Sequence, residues 1–275
     1  MPELPEVETV RSQLEREIIG ATLVKITVRD ARCFEGEMLS DSQLISEVLR
    51  LGKYLFVKFE SGRGLQIHLK MTGRLILEDA NKKIKSSELD YDKAIHTRVV
   101  LQFADQRKIY YWDTRMFGYI KSMPYISRAY LKIKSQLGPE PWDINDTELL
   151  RKLQKTGRTI KEAILDQGLL AGVGNIYAND GLWLAQINPT RKANTIKLSE
   201  VKKLRESLCI VLERGLETGG ASDNTYRDFY GGIGRYQNEF LTYGRTGEPC
   251  NRCGSNLERI VVGGRGTWVC SKCQN

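Results

Sequence analysis

Asp166-Gln-Gly-Leu-Leu-Ala-Gly-Val-Gly-Asn-Ile-Tyr-Ala178 is a glycine-rich turn set between two helical stretches. Thr159–Asp166 reads as the helix before it and Gly174–Ala185 as the helix after it. The glycines permit a tight turn and let the start of the second helix come close to a phosphate. Its first-turn N–H groups have no intrahelical acceptor, and the helix dipole adds positive potential there. The plainer alternative is an ordinary helix–helix turn with Asn175 as a cap.

Further helices flank this pair. Asp146-Thr147-Glu148 opens one that runs through Lys155, and Ser199 begins a long amphipathic one to about Leu216, stopped by Gly219-Gly220. Upstream, to about Tyr125, the texture changes. After an opening helix from Val7 to Ile19, strands are expected at Thr22–Val28, Tyr54–Phe59, Gly64–His68, Arg74–Leu77, Thr97–Phe103 and Lys108–Trp112, on alternation and β-branched or aromatic content. Downstream, Ala221–Tyr236 is rich in Gly, Ser, Asp and Tyr, and a loop of that length is usually functional or disordered. From about Phe240 the chain is short, turn-rich and cysteine-bearing.

Lys and Arg total 42 against 34 Asp and Glu, a net charge of +8 that suits a polyanionic partner such as nucleic acid. With 41% hydrophobic and 28% charged residues, the chain has the composition of a folded globular protein, not of a disordered one. No apolar run approaches the roughly 18 residues of a membrane-spanning helix, so no membrane partner is expected. The opening Met1-Pro-Glu-Leu-Pro-Glu6 is acidic and lacks an apolar segment, so no signal peptide is expected and the cytoplasm is the expected compartment.

Cys250-Asn-Arg-Cys253 and Cys270-Ser-Lys-Cys273 are two C-x-x-C knuckles separated by a hairpin-sized stretch, the spacing of a zinc ribbon. Four thiolates close a tetrahedral site and leave no place for water, so one structural zinc ion is expected at Cys250, Cys253, Cys270 and Cys273. Zinc would replace the core that so small a tail cannot build. Arg259, Arg265 and Lys272 on this stretch could meet phosphates or a base, or be solvated surface charges. Cys33 and Cys209 read as inert.

Pro2-Glu-Leu-Pro-Glu-Val-Glu8 can be read simply as an extension entering a helix, with Pro5 in the first turn and carboxylates favouring the dipole. Its chemistry allows more. Removal of Met1 would expose Pro2 as a secondary amine, with a lower pKa than a lysine and so more neutral near pH 7. Attack on a sugar C1′ by such an amine gives an iminium, an electron sink that acidifies the C2′ proton and permits loss of the 3′ phosphate. Glu3 could protonate the opening sugar ring.

Taken with the features above and below, Pro2-Glu-Leu-Pro-Glu-Val-Glu-Thr-Val10 resembles the start of the bacterial formamidopyrimidine-DNA glycosylases, and the resemblance runs from Pro2 to Cys273. It implies a multidomain α+β fold: an N-terminal β-sandwich with a flanking helix (1–125), a helix–two-turn–helix domain (135–220), a lesion-capping loop (221–239) and a C-terminal zinc-finger β-hairpin (240–275). It implies a bifunctional glycosylase and abasic-site lyase that excises oxidised purines, 8-oxoguanine and formamidopyrimidines, from duplex DNA, followed by β,δ-elimination. Pro2 would be the Schiff-base nucleophile and Glu3 the proton donor, with Glu6 a second carboxylate near the site. Lys53, in Leu51-Gly-Lys-Tyr-Leu55, would lie near the abasic sugar, although alone it reads as a strand-edge lysine.

Met71, in His68-Leu-Lys-Met-Thr-Gly73, resembles the family's wedge residue, and Arg115 and Phe117, in Asp113-Thr-Arg-Met-Phe-Gly118, its partners. Such a set would offset the stacking lost when a base is extruded; core packing is the alternative for Met71 and Phe117. Asn175 would touch the DNA backbone, Lys155, Arg158 and Lys161 would line the same surface, and Arg265 would grip a phosphate and assist δ-elimination. A DNA contact is also expected at His96. The chain departs from the family pattern at Ala94, where a DNA-contacting histidine is usual, at Asn179-Asp180, and at Thr114 and Met116. Partners implied are damaged double-stranded DNA and no second copy, with the protein a monomer held at the bacterial nucleoid through DNA. The competing readings are an endonuclease VIII-like enzyme for oxidised pyrimidines and a non-catalytic binder of damaged DNA. The intact Pro2, Glu3 and Lys53 argue against the latter.

Overall fold

The structure is a computed structural model and describes residues 1–78, 90–223 and 225–275; Asn224, within the expected capping loop, lies outside the described residues. The chain divides into two compact units, Met1–Ser135 with Thr218–Gln237, and Gln136–Glu217 with Asn238–Asn275.

The first unit opens with helix α1 (Leu4–Ile18), three residues earlier than the apolar pattern alone suggests. Glu3 caps it and Pro5 falls in the first turn, where a missing N–H costs nothing. Val7, Val10, Leu14 and Ile18 form its buried stripe. The strands are β1 (Thr22–Val28), β2 (Phe34–Glu35), β3 (Gln43–Leu51), β4 (Tyr54–Phe59), β5 (Gly64–His68), β6 (Arg74–Glu78), β7 (Thr97–Phe103), β8 (Lys108–Trp112) and β9 (Tyr119–Met123), hydrogen-bonded in the order β2-β9-β5-β4-β3-β1-β7-β8-β6.

The β1–β3 pair links two layers, and both turn apolar residues into one core. Leu55, Val57 and Ile67 from one layer share that cluster with Leu75, Leu101 and Ile109 from the other. Each such side chain contributes about 1.5–3 kcal/mol when fully buried. The unit is therefore a β-sandwich, as expected, with α1 packed on its core. Phe56, facing the other way on β4, is covered by Ile126 and Ala129 of helix α2 (Ile126–Gln136).

Strands β2, β3 and β9 and helix α2 were not among the sequence expectations. In β3 a bulge between Ile45 and Glu47 breaks the alternation, and Ile45, Val48 and Leu49 fit a helix face equally well.

The second unit holds α3 (Asp146–Gln154), α4 (Ile160–Leu165), α5 (Asn175–Leu184) and α6 (Leu198–Glu217), then a hairpin of β10 (Glu258–Val262) and β11 (Arg265–Val269). Asn145 and Thr159 cap α3 and α4 through hydrogen bonds to Glu148 N–H and Glu162 N–H. Val262 pairs with Arg265 across Gly263 and Gly264, both at positive φ (55° and 72°), the pattern of a two-residue type I′ turn that glycine favours. No helix among the described residues is long and apolar enough to cross a membrane.

Candidate active site and nucleic-acid interface

Pro2, Glu3 and Glu6 are all buried, the two carboxylates to 2% and 1% exposure. Buried carboxylates require partners. Glu6 Oε2 accepts the Glu3 N–H at 2.6 Å, and Glu6 Oε1 accepts the Ala221 N–H at 2.7 Å. One carboxylate thus ties the start of α1 to the root of the 221–236 segment. Gly220 packs against it at φ 85°, where a Cβ would come within 2.8 Å of Glu6 Cγ. The Tyr226 hydroxyl donates to the Glu6 carbonyl at 3.3 Å, and Phe229 is fully buried in the sandwich core. The 221–236 segment is therefore anchored on both the N-terminal helix and the core. Met1 precedes Pro2 and is half exposed, so the proline nitrogen is a peptide nitrogen until Met1 is removed.

Lys53 sits on the turn between β3 and β4, 6% exposed. The Arg50 guanidinium braces that turn, donating to the Gly52 carbonyl at 2.9 Å and pairing with Glu8 on α1 at 2.7 Å. Burial, with the positive charges of Lys70 and Lys53, pushes the His68 imidazole down to about 3. His68 is therefore neutral, and its Nδ1 accepts the Lys70 N–H at 3.0 Å, which leaves the proton on Nε2.

Met71 and Phe117 are exposed, at 41% and 54%, which removes core packing as their role. Arg115 lies between them: its NH1 is 3.3 Å from the Met71 sulfur and its guanidinium carbon 4.7 Å from the Phe117 ring centroid. Both loops hang from Asp113, which is completely buried. Its carboxylate accepts the Thr72 hydroxyl, the Arg115 N–H at 3.0 Å, the Gly118 N–H at 3.0 Å and the Tyr111 hydroxyl at 3.3 Å. Met116 takes a positive φ of 56° and turns inward onto the core, which pushes its neighbours Arg115 and Phe117 outward. Asp113, whose pattern in the sequence does not reveal that role, is the residue that organises this group.

His96 is half-buried, with its ring edge-on to Trp112 and its Nδ1 3.1 Å from Arg98. The Asp113 N–H donates to its carbonyl at 3.0 Å, so His96 borders the same loop. Ala94 packs against the Trp112 cluster.

In the second unit, the 166–174 turn is closed by its own side chains. Asp166 accepts the Gly168 N–H at 2.9 Å, and Gln167 accepts the Gly172 N–H at 3.0 Å while donating to Leu165 and Val173 carbonyls. Asn175 stands at the first position of α5 and donates to the Gly266 carbonyl at 3.1 Å, one residue from Arg265. Arg265 itself is exposed, and among the described residues no carboxylate pairs with it. Lys155 is exposed, and Arg158 pairs with Asp166 at 2.6 Å.

Lys161 corrects an expectation. It is fully buried, and its ammonium donates to Gly266 O at 3.0 Å, Thr267 Oγ1 at 2.7 Å and Asn179 Oδ1 at 3.3 Å. Those acceptors seal it from solvent, so it does not line a phosphate-facing surface; it fastens the hairpin to α4 and α5. In the Asn179-Asp180 pair the first residue shares that task and the second holds the 241–243 turn. Asn179 accepts the Trp268 N–H at 2.9 Å, and the buried Asp180 accepts N–H groups of Leu241, Thr242 and Tyr243 at 2.9–3.1 Å.

The Sγ atoms of Cys250, Cys253, Cys270 and Cys273 all lie within 4.8 Å of one another, with Cys250–Cys273 at 3.9 Å and Cys253–Cys270 at 3.5 Å. Tetrahedral zinc with Zn–S of about 2.3 Å needs sulfurs about 3.8 Å apart, so the donors fit. Their electrostatics point the same way. The hydroxyl and N–H of Ser255 hold the Cys253 thiol down to about 6, while burial and then the crowding of the other three sulfurs push Cys273 up to about 12. A dication removes that conflict, because a coordinating thiol is deprotonated outright. These four cysteines hold one structural zinc ion.

Three family models match in the same order as these structures: the formamidopyrimidine-DNA glycosylase N-terminal domain over residues 1–120, the formamidopyrimidine-DNA glycosylase H2TH domain over 137–227, and the zinc finger found in FPG and IleRS over 247–275. The chain is 38% identical to a formamidopyrimidine-DNA glycosylase of Herpetosiphon aurantiacus, covering 100% of both proteins. Among solved structures, it is similar to the MutM (FPG) protein of Thermus thermophilus (TM-score 0.87, 37% identity, 99% of this chain and 98% of that one). It is also similar to a Lactococcus lactis FPG mutant in complex with a Fapy-dG containing DNA (TM-score 0.88, 35% identity, 99% of each chain). A third is MutM in complex with carbocyclic 8-oxo-G containing DNA (TM-score 0.87, 35% identity, 99% of each chain).

Proposed function

Since the chain belongs to the formamidopyrimidine-DNA glycosylase family, we propose that it excises oxidised purines, 8-oxoguanine and formamidopyrimidines, from duplex DNA and then cleaves the abasic strand. The observation that carries this reading is the exposed Met71–Arg115–Phe117 group held by a buried carboxylate. Two apolar side chains and a guanidinium presented together to solvent are costly unless something inserts against them, and an unstacked duplex offers both an apolar hole and an orphaned base to hydrogen-bond.

In the reaction, Pro2, freed of Met1, attacks C1′ of the damaged nucleotide, and the base departs. Glu3 protonates the sugar oxygen as the ring opens, leaving an iminium between Pro2 and C1′. The iminium acidifies the C2′ proton, and its loss expels the 3′ phosphate; a second elimination expels the 5′ phosphate. Lys53 serves at the abasic sugar or its phosphate, and Arg265 holds a phosphate through δ-elimination. Asn175, with the α5 N-terminus, and the exposed Lys155 supply backbone contacts, and His96 borders the extruded site. Arg158 joins them if a phosphate displaces Asp166. The 221–239 segment covers the lesion. The zinc contributes no chemistry to these steps: its closed coordination makes it a support for the hairpin that carries Arg265.

The protein acts as a monomer on damaged double-stranded DNA, in the cytoplasm and at the nucleoid. Nicking of duplexes that carry one defined lesion tests the reading. Cleavage at 8-oxoguanine opposite cytosine, with slower cleavage at thymine glycol, is expected. A reversed preference would place the enzyme with the oxidised-pyrimidine branch, and tight binding without cleavage would make it a damage binder.

A further inference from the structure

The zinc knuckles touch α5 at its far end from Asn175. The Trp183 indole N–H donates to Cys250 Sγ at 3.3 Å, and the Arg252 backbone N–H reaches the same sulfur at 3.5 Å. Arg252, between the two cysteines of its knuckle, lays its guanidinium over the Trp183 ring at 4.3 Å. It also donates to the carbonyls of Trp183 and Leu184 at 3.1 and 3.3 Å. Those carbonyls belong to the last turn of α5, whose final acceptors have no partner within the helix and favour a cation. Trp183, Cys250, Cys270 and Cys273 are buried in one apolar cluster.

We propose that Trp183 and Arg252 form an outer-sphere clamp that tunes the zinc site and locks it to the C-terminal end of α5, making Trp183 and Arg252 positioning residues for the metal. The indole N–H draws electron density from the Cys250 thiolate and fixes its orientation, as the outer hydrogen bonds of metal ligands do. The Arg252 cap ties the knuckle backbone to the helix end. Asn175 begins the same helix, about 12 Å away along its axis at 1.5 Å per residue. At that end it meets the hairpin again, through the Gly266 carbonyl. The metal site is therefore fastened to the C-terminal end of α5 and the hairpin to its start. The clamp is independent of the DNA reading; its consequence for a phosphate at Asn175 rests on that reading.

The test uses the zinc-loaded full-length protein and two variants, Trp183→Phe, which keeps an aromatic ring and deletes the N–H, and Arg252→Lys, which keeps the charge and deletes the fork. Zinc release to an excess of a chromogenic chelator should be about 10–100-fold faster in Trp183→Phe than in the parent, because Cys250 is no longer held in orientation and its more basic sulfur takes up a proton more readily. In cobalt-substituted protein, the thiolate-to-cobalt charge-transfer band should move to lower energy in Trp183→Phe, because a sulfur without the N–H is a better donor. A merely packing role for Trp183 leaves that band in place. Parental release together with a parental band overturns the proposal. If Trp183→Phe cannot retain metal through purification, Arg252→Lys decides: faster release upholds the clamp and parental release overturns it. Neither readout needs DNA, so failure of the clamp and failure of the enzymatic reading are separable.

Discussion

Replacing Asp113 by Asn tests whether a buried carboxylate holds the wedge in place. Its Oδ1 accepts the Arg115 N–H and the Thr72 hydroxyl, and its Oδ2 accepts the Gly118 N–H and the Tyr111 hydroxyl. Burial, then Asp113, raises the Tyr111 pKa, so that hydroxyl remains a donor. An amide can keep only one oxygen. If it faces Arg115 and Thr72, its NH2 meets two further donors, and the Gly118 N–H is left buried without an acceptor. Losing charge-assisted bonds and stranding a buried donor costs about 2–4 kcal/mol. In a unit of this size that lowers the melting midpoint by roughly 5–15 °C. If the cost falls on the closed loop geometry, excision of 8-oxoguanine slows at least about 30-fold under single-turnover conditions. Strand cleavage at a preformed abasic site, where no base has to be extruded, should lose less. Melting followed by circular dichroism and single-turnover nicking measure the two effects. An unchanged midpoint with an unchanged excision rate would refute the role given to Asp113.

Three further outcomes follow from the same geometry. Glu3→Gln should slow base excision about 100-fold or more, the scale of a lost general acid, while duplex affinity by fluorescence anisotropy stays near parental; normal turnover removes Glu3 from the chemistry. The His68 pKa drops from 6.5 to about 3 on folding, so the unfolded chain takes the proton first and the stability that His68 contributes, whole above pH 6.5, is lost as pH falls toward 3. By about pH 5 that loss is about 2 kcal/mol, and in urea unfolding His68→Asn should lose correspondingly less between about pH 7.5 and about pH 5; equal losses contradict the neutral buried ring. Lys161→Met removes three buried hydrogen bonds, although the Gly266 carbonyl keeps Asn175 and Asn179 Oδ1 keeps the Trp268 N–H, and should destabilise the second unit by about 2–4 kcal/mol and weaken duplex binding; parental urea stability would contradict the buried tie.

Spacing carried much of this architecture, because some devices are written in consecutive residues. The two C-x-x-C knuckles and the glycine-rich 166–174 turn depend on local geometry, and both are where the pattern puts them. Strand β3 was hidden because its bulge interrupts the only signal a strand gives. Helix α2 was hidden because few of its residues are buried and no polar cap announces it. The site divides along the same line. Met71, Arg115 and Phe117 were recognisable as residues, yet what brings them together is Asp113, whose partners stand on two different loops. Lys161 differs from its sequence reading for a related reason. A lysine among neighbouring basic residues looks solvated, and the acceptors that bury it, Gly266 and Thr267, arrive from a hairpin distant in sequence. Asn179-Asp180, a departure from the family pattern, acquires its purpose only when the 241–243 turn and the hairpin fold against it.

The most direct measurement is to mix the purified enzyme with duplex DNA bearing 8-oxoguanine, add sodium borohydride, and map the reduced adduct by mass spectrometry of its peptides. The account predicts a protein–DNA species whose modified peptide begins at Pro2 with Met1 gone and the sugar remnant on its nitrogen. No adduct at all, or one carried on the Lys53 side chain with Pro2 unmodified, would contradict it.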